Sequence, residues 1–411
     1  MKNMPADRTP LPRNVRLLIG MRAARSLGQG AMVAAFTLYL HALGWSGTAI
    51  GAVLMGALLA GSALTIAVGP LSDRGGRRLF LIGYNGLQVV AAITAMLTTT
   101  PWLLIIAAII GGFGRGANGS AGPFAPIEQA WFAIELPIHR RGGVFSRNSA
   151  IGFVGMAVGA ALAAVPALVM GHQMGLDGYR ALFVLPLAGS LVSLALLGLA
   201  REPVIPPRAD DTVEADTRER HQENRLLRRL VMVNLLNGTA IGLIGPLTAF
   251  WFAIKFHHGL DTIGPGLAIG FVLGAAGSWV AAKMAKRHHV IRTIISMRGT
   301  GILLLIAMPL APWFWLAMVL YMLRGACNRG TAGVRQALAA GLTRVERRGL
   351  ASSLQNISIQ LPRAIGPLIG GALFHAGYLN LPFYISAALQ LAYLALYVRF
   401  FGKLPAAQAR D

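Results

Sequence analysis

One acidic side chain is set apart by its position in the chain. Of the 15 Asp and Glu residues, only Glu128 lies well inside a long apolar segment, while the others fall in polar stretches or at segment ends. A low-dielectric interior disfavours the charged form of a carboxylate, so such a group can bind and release a proton near neutral pH. Glu128 is therefore a proton-coupling candidate. A static ion pair with Arg22 or Arg25 is the alternative, and the two roles are compatible if the pair breaks during function.

Basic side chains inside apolar segments are more numerous. Buried arginines are costly and should face the protein interior or water, and a guanidinium recognises carboxylate and phosphate groups well. This pattern predicts a cationic cavity for an anionic solute. The arginines concerned are Arg22, Arg25, Arg115, Arg147, Arg298, Arg324, Arg329, Arg335 and Arg363.

The position of each arginine within its segment separates binding from structural roles. Arg22 and Arg25 are three residues apart and share a helix face, and Arg363 is nearest the middle of its segment, so substrate binding is favoured for these three. Bonds to backbone carbonyls, or gating, are favoured for three arginines near segment ends: Arg147, Arg298 and Arg335.

Uncharged polar side chains occupy the matching region of the second half of the chain. Asn234 and Asn237 correspond roughly to Arg22 and Arg25 of the first apolar segment. Such groups orient a substrate in many binding sites, and they equally often join helices to one another in membranes. Both interpretations of Asn234 and Asn237 stay open.

The composition of the chain predicts which secondary-structure elements position these side chains. Hydrophobic residues make up 55% of the 411 residues and charged residues only 13%, against about 25% charged in soluble domains. A bilayer span needs about 20 apolar residues. The chain is therefore predicted to be an all-α integral membrane protein with twelve transmembrane helices, near residues 16–41, 47–70, 79–100, 102–134, 143–170, 180–200, 229–256, 262–285, 291–311, 313–340, 350–376 and 380–401.

The net charge of +22 is concentrated in alternate loops. Arginine and lysine cluster after the second, fourth, sixth, eighth and tenth segments and at both ends, whereas the other loops carry almost none. Cytoplasmic loops collect such residues, so both termini are predicted to be cytoplasmic, in a cell membrane such as the bacterial inner membrane. This distribution explains the charge without any nucleic-acid partner.

The two halves of the chain resemble each other. Residues 1–200 and 229–411 are predicted to form two six-helix pseudo-repeats joined by a cytoplasmic linker, residues 201–228, which is rich in proline and charge. At an offset of 207, Gln129-Ala130 aligns with Gln336-Ala337 and Gly159 aligns with Gly366. Repeats of this kind, with substrate handled between the halves, are a known transporter design.

A ten-residue motif follows the second predicted span. Residues 69–78 read Gly-Pro-Leu-Ser-Asp-Arg-Gly-Gly-Arg-Arg, which resembles the G-x-L-[SA]-D-[RK]-x-G-[RK]-[RK] signature of the major facilitator superfamily at every defined position. The resemblance implies the twelve-helix fold of that family and a conformational latch. The latch residues would be Gly69, Asp73, Arg74, Gly76, Arg77 and Arg78.

Arg115 carries a second, weaker resemblance. Arg115-Gly116 is similar to the buried fourth-span arginine of proton-coupled drug exporters in the same family. In that subgroup the fifth span also has a G-P-x-x-G-G run, which here occurs instead in the eleventh span at residues 366–371. This departure weakens an assignment as an antiporter.

The sequence thus predicts a secondary active transporter of a small organic solute, with an anionic group suspected and proton coupling as a hypothesis. It would work as a monomer by rocking its two halves around a central site. Two alternatives remain, a proton-driven drug or metabolite efflux pump and a non-transporting sensor on the same scaffold. The pattern indicates no enzyme, no cofactor and no metal site, since no nucleophile–base pair, metal-ligand cluster or P-loop is found within the spans.

Overall fold

The computed structural model describes residues 10–115, 124–170, 174–202, 217–340 and 348–402, and no strand occurs in these ranges. A chain in a bilayer core has no water to bond its backbone groups, so it satisfies them within helices. The helices are α1 (Arg13–Ala42), α2 (Gly47–Gly75), α3 (Arg77–Leu97), α4 (Pro101–Gly111), α5 (Phe124–Glu135), α6 (Ile138–Met170), α7 (Leu176–Ala181), α8 (Val184–Leu199), α9 (Thr217–Ile244), α10 (Thr248–Phe256), α11 (Leu260–His288), α12 (Val290–Ala307), α13 (Phe314–Gly330), α14 (Ala332–Ala340), α15 (Arg348–His375) and α16 (Leu381–Phe401).

Nine helical stretches in the described ranges are long and apolar enough to cross a membrane. They coincide with nine of the predicted segments. The first predicted span is one continuous helix, α1, whose arginines make it more polar. The fourth is divided into α4 and α5, and the tenth into α13 and α14. The all-helical membrane fold is confirmed, while the count of twelve spans stays a prediction.

Two details differ from the predicted segments. A short 3-10 turn at Gly245–Leu247, which contains Pro246, separates α9 from α10, because proline removes a helical hydrogen bond. In addition, α9 begins at Thr217, inside the predicted linker 201–228, so the last part of that linker is helical. The domain boundaries otherwise stay predictions.

Each half is held together by close helix packing through glycine. A Cβ atom at Gly159 of α6 would overlap the carbonyl oxygen of Leu27 in α1. A Cβ atom at Gly366 of α15 would overlap the backbone of Gly242 in α9. Helices in lipid gain packing energy when small residues let their backbones approach. The two glycines related by the 207 offset therefore serve the same purpose in their respective halves.

The halves meet tightly at one end of the molecule. We call the helix ends next to Arg77, Arg140 and Arg292 the basic side, and the other ends the opposite side. At the opposite side, α2 packs on α15, and a Cβ atom at Gly47 would lie 2.7 Å from the carbonyl oxygen of Gly371.

A second pair of helices closes the same side. α6 packs on α11, and a Cβ atom at Gly264 would lie 2.8 Å from the carbonyl oxygen of Ala160. Nearby, the rings of His41 and Phe250 are 5.2 Å apart across the two halves. Backbone contacts this close leave no passage between the paired helices at the opposite side.

Candidate functional site

The buried acid of the first half lies between three helices. Glu128 of α5 is 2% exposed, and its Oε1 atom lies 4.0 Å from Nη1 of Arg25 in α1. Asn148 of α6 donates a hydrogen bond of 3.3 Å to Oε2. Of the two partners that the sequence allows, the structure places Arg25 beside the acid. The ion pair is at the limit of contact, and Oε1 has no hydrogen-bond partner among the described residues.

Arg25 makes its closest contact with an aromatic ring. Its Cζ atom lies 3.1 Å from the ring centroid of Phe124, the first residue of α5. A guanidinium over a ring face is stabilised by the ring quadrupole. Arg25 is therefore held by stacking rather than by a tight salt bridge, so Glu128 is not locked into the pair.

Arg22 lies one helical turn away, against α6. A Cβ atom at Gly152 would lie 2.8 Å from its Nε atom, so glycine at this position makes room for the guanidinium. Arg22 is 8% exposed, and its Nε atom has no hydrogen-bond partner among the described residues.

Arg115 follows the break at the end of α4. Gly112 has a left-handed φ of 68°, and a Cβ atom there would lie 2.5 Å from Cζ of Arg115. The guanidinium donates to the hydroxyl of Tyr84 at 3.2 Å and to the carbonyl of Ile109 at 2.9 Å. Arg115 thus fastens the broken helix to α3, which is a structural use of the side chain.

A small polar cavity of about 40 Å³ lies beside Arg115 and Arg25. Gln29, Gln88 and Ser190 also line it. A cavity of this size has room for a few water molecules and not for an organic solute. We assign it to hydration of the first half.

Arg363 joins the two halves near the middle of the molecule. This residue of α15 is 2% exposed and donates a hydrogen bond of 2.8 Å from Nη2 to the carbonyl oxygen of Arg115. A longer bond of 3.4 Å runs from Nη1 to Gln360 in the preceding turn. Its Nε atom has no hydrogen-bond partner among the described residues.

The second half contains a buried arginine that the sequence placed wrongly near a span end. Arg298 lies inside α12 and is 1% exposed. It donates to Asn237 of α9 at 2.8 Å and to Asn328 of α13 at 3.3 Å. Arg335 of α14 is also buried, and it donates to the hydroxyl of Tyr393 at 3.5 Å. The structural role of Asn237 as a partner of Arg298 was not foreseen.

Asn234 has a simpler role. Its Nδ2 atom donates to Oγ of Ser358 at 3.0 Å, which ties α9 to α15. The side chain is 2% exposed. Of the two open interpretations of Asn234, the contact favours the joining of helices.

Positive charge dominates the interior. The buried charged side chains in the described ranges comprise six arginines and three acids. Two of the acids, Glu223 and Asp261, lie near the first turns of α9 and α11, at helix ends. Glu128 is left as the buried acid away from the first turns of α9 and α11, so the buried charged side chains of the described helices are net positive.

The signature motif is described only in part. The side chains of residues 68–75 lie outside the description, so Gly69, Asp73 and Arg74 are not placed. Gly76 has φ 83° and separates α2 from α3. The backbone N–H groups of Arg77 and Arg78 donate to the carboxylate of Glu202 at 2.6 and 3.4 Å.

Glu202 is a residue whose role the sequence did not reveal. A carboxylate at a helix N-terminus satisfies free N–H groups and complements the helix dipole. It joins the start of α3 to the chain that follows α8. Arg78 also donates to the carbonyl oxygens of Leu197 and Gly198, in the last turn of α8, at 2.9 Å each.

Removal of this cap should affect stability more than transport. We expect Glu202→Ala to lower the midpoint of thermal unfolding by a few degrees, since loss of a helix cap costs about 1 kcal/mol. Differential scanning fluorimetry of the purified protein measures this. The control is Asp177→Ala, which removes an exposed acid in α7. Equal midpoints for the two variants would show that Glu202 does not stabilise α3.

Comparison with known proteins places the chain in a family. The profile of the Major Facilitator Superfamily matches residues 18–326 and residues 230–411. An uncharacterised membrane protein of Saccharomyces cerevisiae is 21% identical over 425 residues, covering 95% of this chain and 94% of the relative. Quinolone resistance protein NorA of Staphylococcus aureus is 22% identical over 377 residues, covering 89% of this chain and 91% of NorA.

A solved structure has a similar fold. A D-xylose–proton symporter superposes with a TM-score of 0.74 at 16% identity, covering 96% of this chain and 98% of that chain. This likeness shows the fold, and the profile match shows the family. The chain belongs to the major facilitator superfamily and is a multi-pass membrane transporter.

Proposed function

We propose that this transporter carries a small organic solute with an anionic group. The observation that supports this proposal is the excess of buried arginine over buried acid in the described helices. Buried cations in a membrane protein mark solute pathways or need partners, and guanidinium groups suit carboxylate and phosphate. A solute with a negative group would offset positive charge that the described residues do not neutralise.

The proposed mechanism is alternating access by rocking of the two halves. The opposite side is closed by the pairs α2–α15 and α6–α11. On the basic side, an open groove runs along α9 beside α15, and it is lined by residues that include Leu227, Arg228 and Leu354. We infer that this conformation admits the solute from the basic side, which the positive-inside rule assigns to the cytoplasm of a bacterial inner membrane.

Arg363 is the proposed link between solute and conformation. It bonds the Arg115 carbonyl across the interface and keeps an Nε–H that has no partner among the described residues. A bound anion would compete for this guanidinium and release the bond between the halves. Arg22 and Arg25 would complete the cationic surface from the first half.

Replacement of Arg363 by glutamine should weaken transport of an anionic solute. We expect KM to rise at least about tenfold, since a hydrogen bond to a charged group contributes about 1.5–3 kcal/mol. The measurement is uptake into proteoliposomes of the acid that most stabilises the protein in a thermal-shift screen. The matched control is Arg399→Gln, which removes an exposed arginine of α16. An unchanged KM in Arg363→Gln would exclude this role.

Proton coupling is proposed to run through Glu128. The acid is buried, and its contact with Arg25 is loose at 4.0 Å. Protonation would break the pair and free Arg25 for the solute. The proposal therefore combines the two roles that the sequence allows for Glu128.

An efflux pump for drugs is the second candidate, and the similarity to NorA supports it. The two functions differ in ligand charge. A thermal-shift screen of the purified protein against organic acids, phosphates, organic cations and drugs separates them. We expect stabilisation by acids, whereas stabilisation by lipophilic cations alone would favour efflux.

A sensor on the same scaffold would bind its ligand without moving it. Counterflow of a labelled hit from the screen into preloaded proteoliposomes separates transport from sensing. We expect counterflow, and we propose that a monomer is sufficient to carry it out. Binding without counterflow would favour the sensor.

A further inference from the structure

One equivalent position carries opposite charges in the two halves. Glu128 of the first half corresponds to Arg335 of the second at an offset of 207, and Asn148 corresponds to Gln355 at the same offset. In the first half, the negative charge at this position faces Arg25. In the second half, the same position adds a positive charge to a region that already contains Arg298.

Arg298 and Arg335 converge on one tyrosine. Arg335 donates to the hydroxyl of Tyr393, and Cζ of Arg298 lies 5.1 Å from the centroid of the same ring. The other partners of Arg298 are the amide oxygens of Asn237 and Asn328. All of these partners are neutral, and no ion pair to either arginine is found among the described residues.

Both guanidinium groups keep an unused donor. The Nε atoms of Arg298 and Arg335 have no hydrogen-bond partner in the described part of the chain. Each unsatisfied buried donor has an energetic penalty, which is larger when the group is charged. Arginine does not avoid this penalty by losing its proton, because it stays charged in proteins. A buried charge is therefore normally neutralised by an opposite charge.

We propose that Arg298 and Arg335 form a binding site for a small carboxylate in the interior of the second half. The ligand would supply to the second half the negative charge that Glu128 supplies to the first. A planar guanidinium offers parallel N–H donors that match the two oxygens of a carboxylate. This site goes beyond the proposed transport function, because it requires neither flux nor proton coupling.

Acetate is the probe, because it carries a carboxylate and no other functional group. The full-length protein is purified in a neutral detergent with a large sulfonate as the only anion, and acetate is titrated at constant ionic strength. We expect the midpoint of thermal unfolding to rise saturably with acetate. Arg298→Gln and Arg335→Gln should each raise the apparent Kd for acetate at least tenfold. Arg292→Gln, which removes an exposed arginine of the same helix α12, should leave it within twofold.

A charge reversal makes the test sharper. Arg335→Glu supplies to the second half the carboxylate that the first half has at this position. We expect this variant to have an unfolding midpoint that no longer depends on acetate. If Arg335→Glu does not fold, equilibrium binding of radiolabelled acetate to Arg298→Gln decides the question.

Two results would overturn the proposal. One is a wild-type midpoint that rises no more with acetate than with the sulfonate. The other is unchanged acetate affinity in both glutamine variants. Uptake of labelled acetate into proteoliposomes shows whether the bound anion is a transported solute or a resident ion. Saturable uptake lost in Arg298→Gln places the site on the solute path, and binding without uptake indicates a resident anion; both support the site. Neither depends on whether a larger organic acid is transported.

Discussion

Replacement of Glu128 by glutamine is expected to abolish solute uptake driven by an imposed pH gradient, down to the level of empty liposomes. Counterflow, which needs no proton gradient, should persist. Glutamine keeps the size of the side chain and can still accept a hydrogen bond from Asn148, but it cannot carry a proton. The measurement is a comparison of gradient-driven uptake and counterflow in the same proteoliposomes.

The two possible roles of Glu128 give different results. If the acid is only a static partner of Arg25, its removal leaves a buried charge unpaired, and this costs about 3–5 kcal/mol. The variant would then lose thermal stability and both modes of transport together. Asp177→Asn, an exposed acid in α7, controls for a change of one charge. Unimpaired gradient-driven uptake in Glu128→Gln would exclude proton coupling through this residue.

Gly371→Val is expected to prevent closure of the opposite side. A Cβ atom at Gly371 would overlap the carbonyl oxygen of Gly47, and this neighbour is backbone that cannot rotate away. Overpacking of a tight interface costs about 1–3 kcal/mol. Because about 1.4 kcal/mol changes an equilibrium constant tenfold, the closed state should lose roughly five- to a hundredfold in relative population.

A cysteine placed on a different pair of helices reports this opening. Ala164 of α6 is buried near Gly264 of α11 at the opposite side. In a background with Cys327→Ser, the variant Ala164→Cys should react with a membrane-impermeant maleimide at least about fivefold faster when Gly371→Val is added. Gly83→Val is the matched control, since a Cβ at that position would meet no heavy atom within 4 Å apart from the adjacent backbone of its own helix. Equal labelling rates would refute a closed opposite side.

Much of the fold follows from local sequence. The apolar segments and the signature at residues 69–78 predict the helical membrane fold and the family, and both are confirmed. The breaks inside spans were harder to foresee. Pro246 separates α9 from α10, whereas Pro265, Pro362 and Pro367 lie within continuous helices. Neighbouring helices decide whether a proline breaks a membrane helix, and a single segment does not contain that information.

Less of the candidate site could be predicted from the sequence. The burial of Glu128 follows from its place in an apolar segment, but the choice of Arg25 over Arg22 depends on how α1 faces α5. Arg298 looked peripheral because position along a segment does not reveal depth within a bundle. The partnership of Arg298 with Asn237 joins residues in separate helices, and only tertiary packing brings them together. The functional roles of all these residues stay predictions.

Counterflow of an organic acid through the purified protein tests the central claim most directly. Proteoliposomes are preloaded with the acid that gives the largest thermal shift, and labelled acid is added outside. We predict saturable counterflow that unlabelled organic anions inhibit, that organic cations do not inhibit, and that Arg363→Gln impairs. Counterflow of cations alone, or no flux of any acid that binds, would contradict a transporter of small organic anions.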